Sequence, residues 1–385
     1  MAKFSRTILS IGYGRHLFTE GNPERIRMEA CAKEVGSLHM IIFTSVNDDL
    51  KETIGSNQLT LYPTNSWIKI MMPFDAFLIG RRIIKKHKRD VLLNAQDPFE
   101  TGLVGLWLKH LYKLKLVVQE HGDVLSTTHW KKETVGNFFR YYLGLFILQQ
   151  ADLVRVVSDR TEQAFKKRGI KNITKLPVSI DTSYFVGAQA DASVRTLFEP
   201  DTFIFLTVAR FVPQKNLRLL MLAFRKVYET NSKVRLLMVG SGREESYLKE
   251  YMEANFSDAG VEEPIKILPW SNNVPGLMKA SDAYVLTSNY EGWARVLIEA
   301  MVCKLPVVTT DVGCAGEVVK SNQHGFIVPV GDEELLSKAM LEISQNQAVH
   351  HTFIENLERL PVAEIPGTNI SNYGVQFARS FQSIL

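Results

Sequence analysis

The sequence predicts an α/β chain built as two open, doubly wound parallel sheets, one in each of two domains. Three observations predict it. At 385 residues the chain is too long for one ordinary core and suits two domains of under about 200 residues each. Short β-branched runs alternate with helical patterns along the whole length, as βαβ units require. The stretch 179–200, following Pro177, carries Gly187, Ala188, Ala190 and Ala192 with no clear period, and the linker is expected there.

In chain order, the first half offers six strand candidates: Thr7–Ile11, which opens from an N-terminus too briefly apolar for a secretory leader, then Met40–Thr44, Val91–Asn94, Leu116–Gln119, Leu153–Val157 and Ile173–Leu176. The second half offers Phe203–Ala209, Arg235–Gly240, Ile265–Leu268, Ala283–Leu286, Pro306–Thr309 and Gly325–Val328. Each set of six suits one open sheet. The longest apolar run, Tyr141–Leu148, is half the length of a membrane span and ends in Gln149 and Gln150, so no spanning helix is expected. No repeat of 20 to 50 residues is visible, which excludes solenoids and propellers.

A content of 45% hydrophobic and 22% charged residues excludes a disordered tail, a collagen-like fibre and a coiled coil as the main structure. Three scattered cysteines, Cys31, Cys303 and Cys314, argue against a disulfide framework or a cysteine-based zinc site and for a reducing cytoplasm. Charge is uneven. Residues 1–190 carry 27 Lys and Arg against 18 Asp and Glu, a net of +9; residues 191–385 carry 18 against 23, a net of −5. Much of the excess sits in Arg81–Arg89 and in Lys109, Lys113, Lys115, Lys131, Lys132 and Arg140, which suit phosphate groups or an anionic membrane surface; solvated helix faces are the competing reading.

In open α/β sheets ligands bind beyond the carboxyl ends of the strands, so the loops there are the candidates. After Ala283–Leu286 comes NYEGWARVLIEAM (Asn289–Met301), with Glu291 in the loop, Gly292 permitting close backbone approach, and a helix opening at Trp293 and Ala294 with Glu299 inside it. The free N–H groups at such a helix start suit a diphosphate. Eight helical positions correspond to about 12 Å of rise. Paired glycosidase carboxylates need roughly 5–9.5 Å, so Glu291 and Glu299 better suit two points on an extended ligand; an ordinary helix acid is the alternative for Glu299.

After Phe203–Ala209 comes VARFVPQKN, which places Arg210 and Lys215 where a diphosphate leaving group needs cations, with surface charge as the alternative. Gly12, Tyr13 and Gly14 form a turn after the first strand, and Gly240, Ser241 and Gly242 (in VGSGREE) follow a later one. Both lack the third glycine of the dinucleotide fingerprint, which argues against a nicotinamide or flavin cofactor. His121 in QEHGD could donate to a ligand hydroxyl, or be structural. The metalloprotease, phosphate-loop and hydrolase-elbow motifs are absent from the sequence.

The segment from Phe203 to about Asp332 resembles the donor half of the family 4 glycosyltransferases, through VARFVPQKNLRLLMLAF, LLMVGSG, the run from Pro275 through EGWARVLIEAMVCKLPVVTTDVGCAGEVV, and HGFIVPVGD. SIGYG, VVQEHGD and LPVSIDTSYF resemble the first half more loosely, and Tyr373–Ile384 is similar to the family's terminal helix. The resemblance implies an α/β GT-B fold of two doubly wound Rossmann-like domains facing a cleft. It implies an acceptor domain at 1–185, a donor domain at 186–370, and a helix at 371–385 crossing back to the first domain. It also implies retaining transfer of a hexose from a nucleotide-diphosphate sugar, with no cofactor and no essential metal. By motif position Glu291 would contact the donor sugar, Glu299 the ribose, and Arg210 and Lys215 the diphosphate, assisted by backbone N–H groups at Arg295 and Val296 beside Gly292 and Trp293. His121 would hydrogen-bond the sugar, and Gly12 and Gly14 would lie against diphosphate or acceptor.

Three positions depart from the pattern: Ala294 and Lys304 stand where the family has Gly, and Gly316 where Pro is frequent. The first two add side chains beside a tight backbone, but none removes a charge. The implied partners are a nucleotide sugar, a glycan or lipid-linked acceptor and an anionic membrane surface, in a cytoplasmic enzyme peripheral to the inner membrane face. Nucleic acid is disfavoured because the basic residues lack an evident aromatic stacking platform. The alternatives are a soluble epimerase or disaccharide synthase of the same fold, and a non-catalytic sugar-nucleotide binder.

Overall fold

The computed structural model describes residues 6–87, 90–256, 263–368 and 372–384. Lys88 and Arg89 of the basic run, and positions 371 and 385 of the expected terminal helix, lie outside the described residues. The chain divides into two compact units: one runs to Ser179 and takes in the C-terminal residues after Thr368, the other is Ile180–Thr368.

The first unit is an eight-stranded sheet of β1 (Arg6–Gly12), β2 (Gly36–Ile42), β3 (Thr53–Ile54), β4 (Leu59–Pro63), β5 (Val91–Ala95), β6 (Leu116–Glu120), β7 (Leu153–Val156) and β8 (Ile173–Lys175). Their order is β3-β4-β2-β1-β5-β6-β7-β8, all parallel except the short edge pair β3–β4. The six expected strands are therefore eight. Leu59–Pro63 was missed because its five residues (LTLYP) end in a proline, and β2 begins at Gly36, which also closes the preceding helix with φ 88°. Alternate strand residues feed the two faces. Leu9, Ile11 and Leu93 pack under helices Met72–Lys86, Glu100–Tyr112 and Val135–Gln150, while Ile8, Leu38 and Leu92 pack under helix Pro23–Val35.

That second face is completed by the far end of the chain. Helix Tyr373–Arg379 lies on Pro23–Val35 so closely that a Cβ on Gly374 would come 2.9 Å from the carbonyl oxygen of Ala30. Phe377 and Phe381 enter the same core as Ile8 and Met28. Helical turns stop at Arg379, and Gln382–Ile384 is a separate 3₁₀ turn.

The second unit holds β9 (Phe203–Val208), β10 (Val234–Val239), β11 (Ile265–Leu268), β12 (Ala283–Leu286), β13 (Val307–Thr310) and β14 (Gly325–Val328), ordered β11-β10-β9-β12-β13-β14 and all parallel. The six expected strands are all present within a residue or two. From Ile180 onward the stretch expected as a linker at 179–200 belongs to this unit and packs within it. Asp191 caps a short helix at Ala192–Thr196, its backbone N–H donates to Gly276 O at 2.9 Å, and Phe185, Val194 and Phe198 are buried. The division consequently falls at Ser179 and Ile180 rather than at 185.

Candidate active site

The two strongest sequence segments emerge from β9 and β12, neighbours at the centre of the second sheet, where the strand order reverses. Their loops are laced together. Asn289 N–H donates to Gln214 O at 2.8 Å, Asn289 Nδ2 to Pro213 O at 3.1 Å, and Thr287 Oγ1 to Lys215 O at 2.9 Å. This lacing brings Lys215 against Glu291: the ammonium of Lys215 donates to Glu291 Oε1, which also accepts from Ser288 Oγ at 2.7 Å. Gln214 Nε2 bonds Tyr290 O at 3.1 Å and reaches Glu291 Oε2 at 3.5 Å. Both charged side chains are largely buried. The ammonium is thus fixed at a strand end, where it can meet developing negative charge without first being reoriented. Arg210 is exposed on the loop that leads to it.

Glycine is required where the third loop approaches. Gly240 and Gly242 have φ of 145° and 158°, and a Cβ on either would collide with the carbonyl oxygen of Ala209 or Phe211. The VGSG segment thus presses the loop after β10 against the loop that carries Arg210; Phe211 N–H donates to Ser241 O at 2.8 Å.

The helix after Glu291 runs Arg295–Val302, one residue later than expected, because Ala294 adopts the left-handed conformation (φ 55°, ψ 57°) and caps it with no side-chain bond. The backbone N–H groups of Arg295 and Val296 lie in its first turn, and Gly292 and Trp293 are buried just before it. Trp293 Nε1 is buried without a hydrogen-bond partner. Glu299 sits on that helix and not beside Lys215; its nearest base is Arg295, 3.8 Å away, and burial pushes its carboxyl above the usual range. Tyr284, whose hydroxyl bonds Val208 N and O, feels the charge of both Glu299 and Glu291.

The departures have a backbone explanation. Ala294 and Lys304 both have positive φ, at 55° and 64°, in the region where a glycine costs nothing. Lys304 uses its side chain to bond Leu357 O at 2.5 Å and Leu360 O at 3.1 Å, which anchors it. Gly316 has φ of 79°, a conformation closed to proline.

In the first unit, Gly12 and Gly14 follow β1; a Cβ on Gly12 would run into the Gln96 side chain, and Gly14 has φ of 122°. His121 follows β6 and bonds Gln119 Oε1 at 2.6 Å through Nε2. The His121 side chain is exposed, and surrounding protein, then the guanidiniums of Arg155 and Arg27, lower its pKa from the ordinary value. It stands over a cavity of about 210 Å3 that also includes Ser10, Tyr13, Asn94 and Gln119. Sequence reasoning missed Gln214, which lies inside VARFVPQKN, and Ser288, which immediately precedes the Asn289–Met301 segment. It also missed Asn94, Gln119 and Arg155, whose signal was a polar residue interrupting a buried strand.

The comparisons agree with the geometry. A model of "Glycosyl transferases group 1" matches residues 189–359 and one of "Glycosyltransferase Family 4" matches residues 39–184, together most of the chain. The UDP-Gal:alpha-D-GlcNAc-diphosphoundecaprenol alpha-1,3-galactosyltransferase of Escherichia coli is 24% identical over 70% of each chain. The N-acetyl-alpha-D-glucosaminyl L-malate synthase of Bacillus anthracis is 25% identical over 63% of this chain and 64% of its own. Among solved structures, Anabaena HepE in complex with UDP and glucose superposes with a TM-score of 0.72 at 19% identity, covering 98% of this chain and all of the other. Sucrose-phosphate synthase of Thermosynechococcus elongatus gives 0.74 at 19% identity, covering 98% of this chain and 99% of the other. At these identities the structures establish the shared architecture.

Proposed function

This chain belongs to the group 1, family 4 glycosyltransferases of GT-B fold, and we propose that it moves a hexose, with retention of anomeric configuration, from a UDP-sugar to a lipid-linked or polysaccharide acceptor in cell-surface glycan synthesis. The observation that carries this reading is the Lys215–Glu291 pair buried at the carboxyl ends of the central strands of the donor unit. In this reading Arg210 and Lys215 hold the diphosphate, the first turn at Arg295 and Val296 adds backbone donors, Glu291 meets the sugar and Glu299 the ribose hydroxyls. The leaving phosphate takes the acceptor proton, so no protein base and no essential metal is needed. The base and the acceptor class are supported by names: the E. coli relative uses UDP-Gal and a diphosphoundecaprenol-linked acceptor, and HepE is solved with UDP and glucose.

Work at an anionic membrane face is supported by the first unit's outer helices. Before and along Met72–Lys86, Trp67, Ile70, Phe74 and Leu78 are exposed, Trp67 at 79% and Ile70 at 73%, with Lys69, Arg82 and Lys85 beside them. Phe138, Phe139, Tyr142 and Phe146 form a second exposed stripe along Val135–Gln150. Among the described residues no helix is long and apolar enough to cross a membrane.

The test is thermal unfolding with UDP, GDP, ADP and CMP in turn. A ligand at 100 times its Kd stabilises the native state by about 2.7 kcal/mol, a readily measured shift. A response to UDP alone, followed by acceptor-dependent UDP release, supports the reading. A response with no acceptor dependence points to an epimerase or a non-catalytic binder, and no response to UDP overturns the donor assignment.

A further inference from the structure

Among the described residues three arginines are almost wholly buried, and two have an acid. Arg25 pairs with Glu29 at 3.1 Å and Arg235 with Glu199 at 3.1 Å. The third, Arg155 on β7, is 2% exposed and pairs with no carboxylate among the described residues. Its guanidinium bonds the neutral Ser380 Oγ at 3.0 Å, reaches Asn94 Oδ1 at 3.5 Å, and lies against the Phe377 and Phe381 rings. A buried cation without a counter-ion is costly, and buried charges are ordinarily paired.

A second guanidinium opens on the same cavity. Arg27, half-buried over the Tyr373 ring, reaches Ser179 O only at 3.5 Å, and its Nε has no partner. The other polar lining is neutral, namely Ser10, Asn94, Gln96, Gln119 and His121, except for Glu24, whose Oε2 is held by His16 Nε2 at 2.5 Å. The cavity lies where β1 neighbours β5, the point at which the first sheet's strand order reverses, the general ligand position in such sheets.

We infer that this cavity, with Arg27 and Arg155 as its cations, binds a compact oxyanion, the carboxylate or phosphate group of an anionic acceptor. Two guanidiniums offer forked N–H pairs that match either group, and the surrounding amides and Ser10 can meet the remaining oxygens. The inference rests on the reading of the first unit as the acceptor unit and deepens it: a neutral glycan end would leave both cations unmet.

The test uses the full chain with UDP at saturation, so that the diphosphate site is filled, at constant ionic strength set with sodium chloride. Inorganic phosphate and malonate are titrated separately by calorimetry and thermal unfolding, with glycerol as the uncharged control. We expect saturable binding of one of the two oxyanions, and which one separates a phosphate from a carboxylate acceptor. Arg27→Met should weaken that binding at least tenfold while leaving the UDP response and circular dichroism unchanged. Arg155→Lys, which keeps the charge and loses the fork, is the second variant should the first prove too mild. Absence of saturable binding of either oxyanion, or binding that both variants leave intact, overturns the inference. Loss of the UDP response in the parent chain would instead refute the donor assignment, and an Arg27-dependent anion response would still stand.

Discussion

Replacing Glu291 by Gln probes the site at its centre. In the parent chain Oε1 accepts from both the Lys215 ammonium and Ser288 Oγ, and the pair is mostly shielded from water, with side-chain exposures of 15% for Lys215 and 11% for Glu291. An amide preserves the shape and the Ser288 bond but removes the charge opposite Lys215. A hydrogen bond to a charged group is worth about 1.5–3 kcal/mol, and breaking a fully buried pair costs more, so a loss of roughly 2 kcal/mol is expected here. For a unit of this size that lowers the melting midpoint by roughly 4–8 °C. Turnover should fall further, by roughly 10²–10³-fold, the usual effect of removing one preorganised polar contact to the transition state. UDP binding should persist, because Lys215 keeps its charge and loses its competitor. The assay is acceptor-dependent UDP release beside UDP calorimetry, with Lys215→Met as the counterpart expected to lose UDP affinity. Turnover of Glu291→Gln within twofold of the parent would refute the role given to Glu291.

Glu299→Gln should raise the melting midpoint at pH 7, since burial already disfavours its charged form, yet weaken UDP binding; a variant both more stable and unchanged in UDP affinity would remove Glu299 from the donor site. His121, whose pKa neighbouring protein and two guanidiniums lower below its ordinary 6.5, binds its proton more readily in the unfolded chain. It therefore takes stability away as pH falls below 6.5, and His121→Asn should flatten that part of the stability profile. Serine at Trp67, Ile70, Phe74 and Leu78 should abolish sedimentation with phosphatidylglycerol vesicles, and neutralising Arg81, Arg82, Lys85 and Lys86 should make any remaining binding insensitive to salt. Transfer should survive EDTA within twofold; a loss restored by a divalent cation would overturn the metal-free mechanism.

The alternation of short strands and helices was legible because parallel strands buried on both faces read as plain apolar runs, and the whole second sheet followed from it. The edge of the first sheet was not legible. LTLYP is short and proline-ended, and two-residue Thr53–Ile54 carries no pattern of its own. The stretch after Pro177 looked like a linker because its small residues obscure two short capped helices. In the site, charged letters in the loops drew attention to Glu291, Lys215 and Arg210. The pairing of the first two was invisible, because it depends on Asn289 donating from its backbone N–H to Gln214 O and from its side-chain Nδ2 to Pro213 O, contacts between loops that lie far apart in the sequence. Ala294 and Lys304 stood out as departures by letter, and only the positive φ of each explains what the usual glycine supplies there.

The C-terminal helix has a consequence for biosynthesis. Phe377 and Phe381 close the core formed by Ile8, Met28 and Leu38, and Ser380 supplies a bond to Arg155, so the first unit lacks part of its interior until the segment after Thr368 has also been synthesised. The second unit, continuous from Ile180 to Thr368, carries no such dependence and can finish while the first still waits. The first unit therefore exposes its apolar face for longer than the second in the life of each new molecule, and a chain lacking Tyr373–Arg379 leaves that unit permanently incomplete, a substrate for chaperones and proteases.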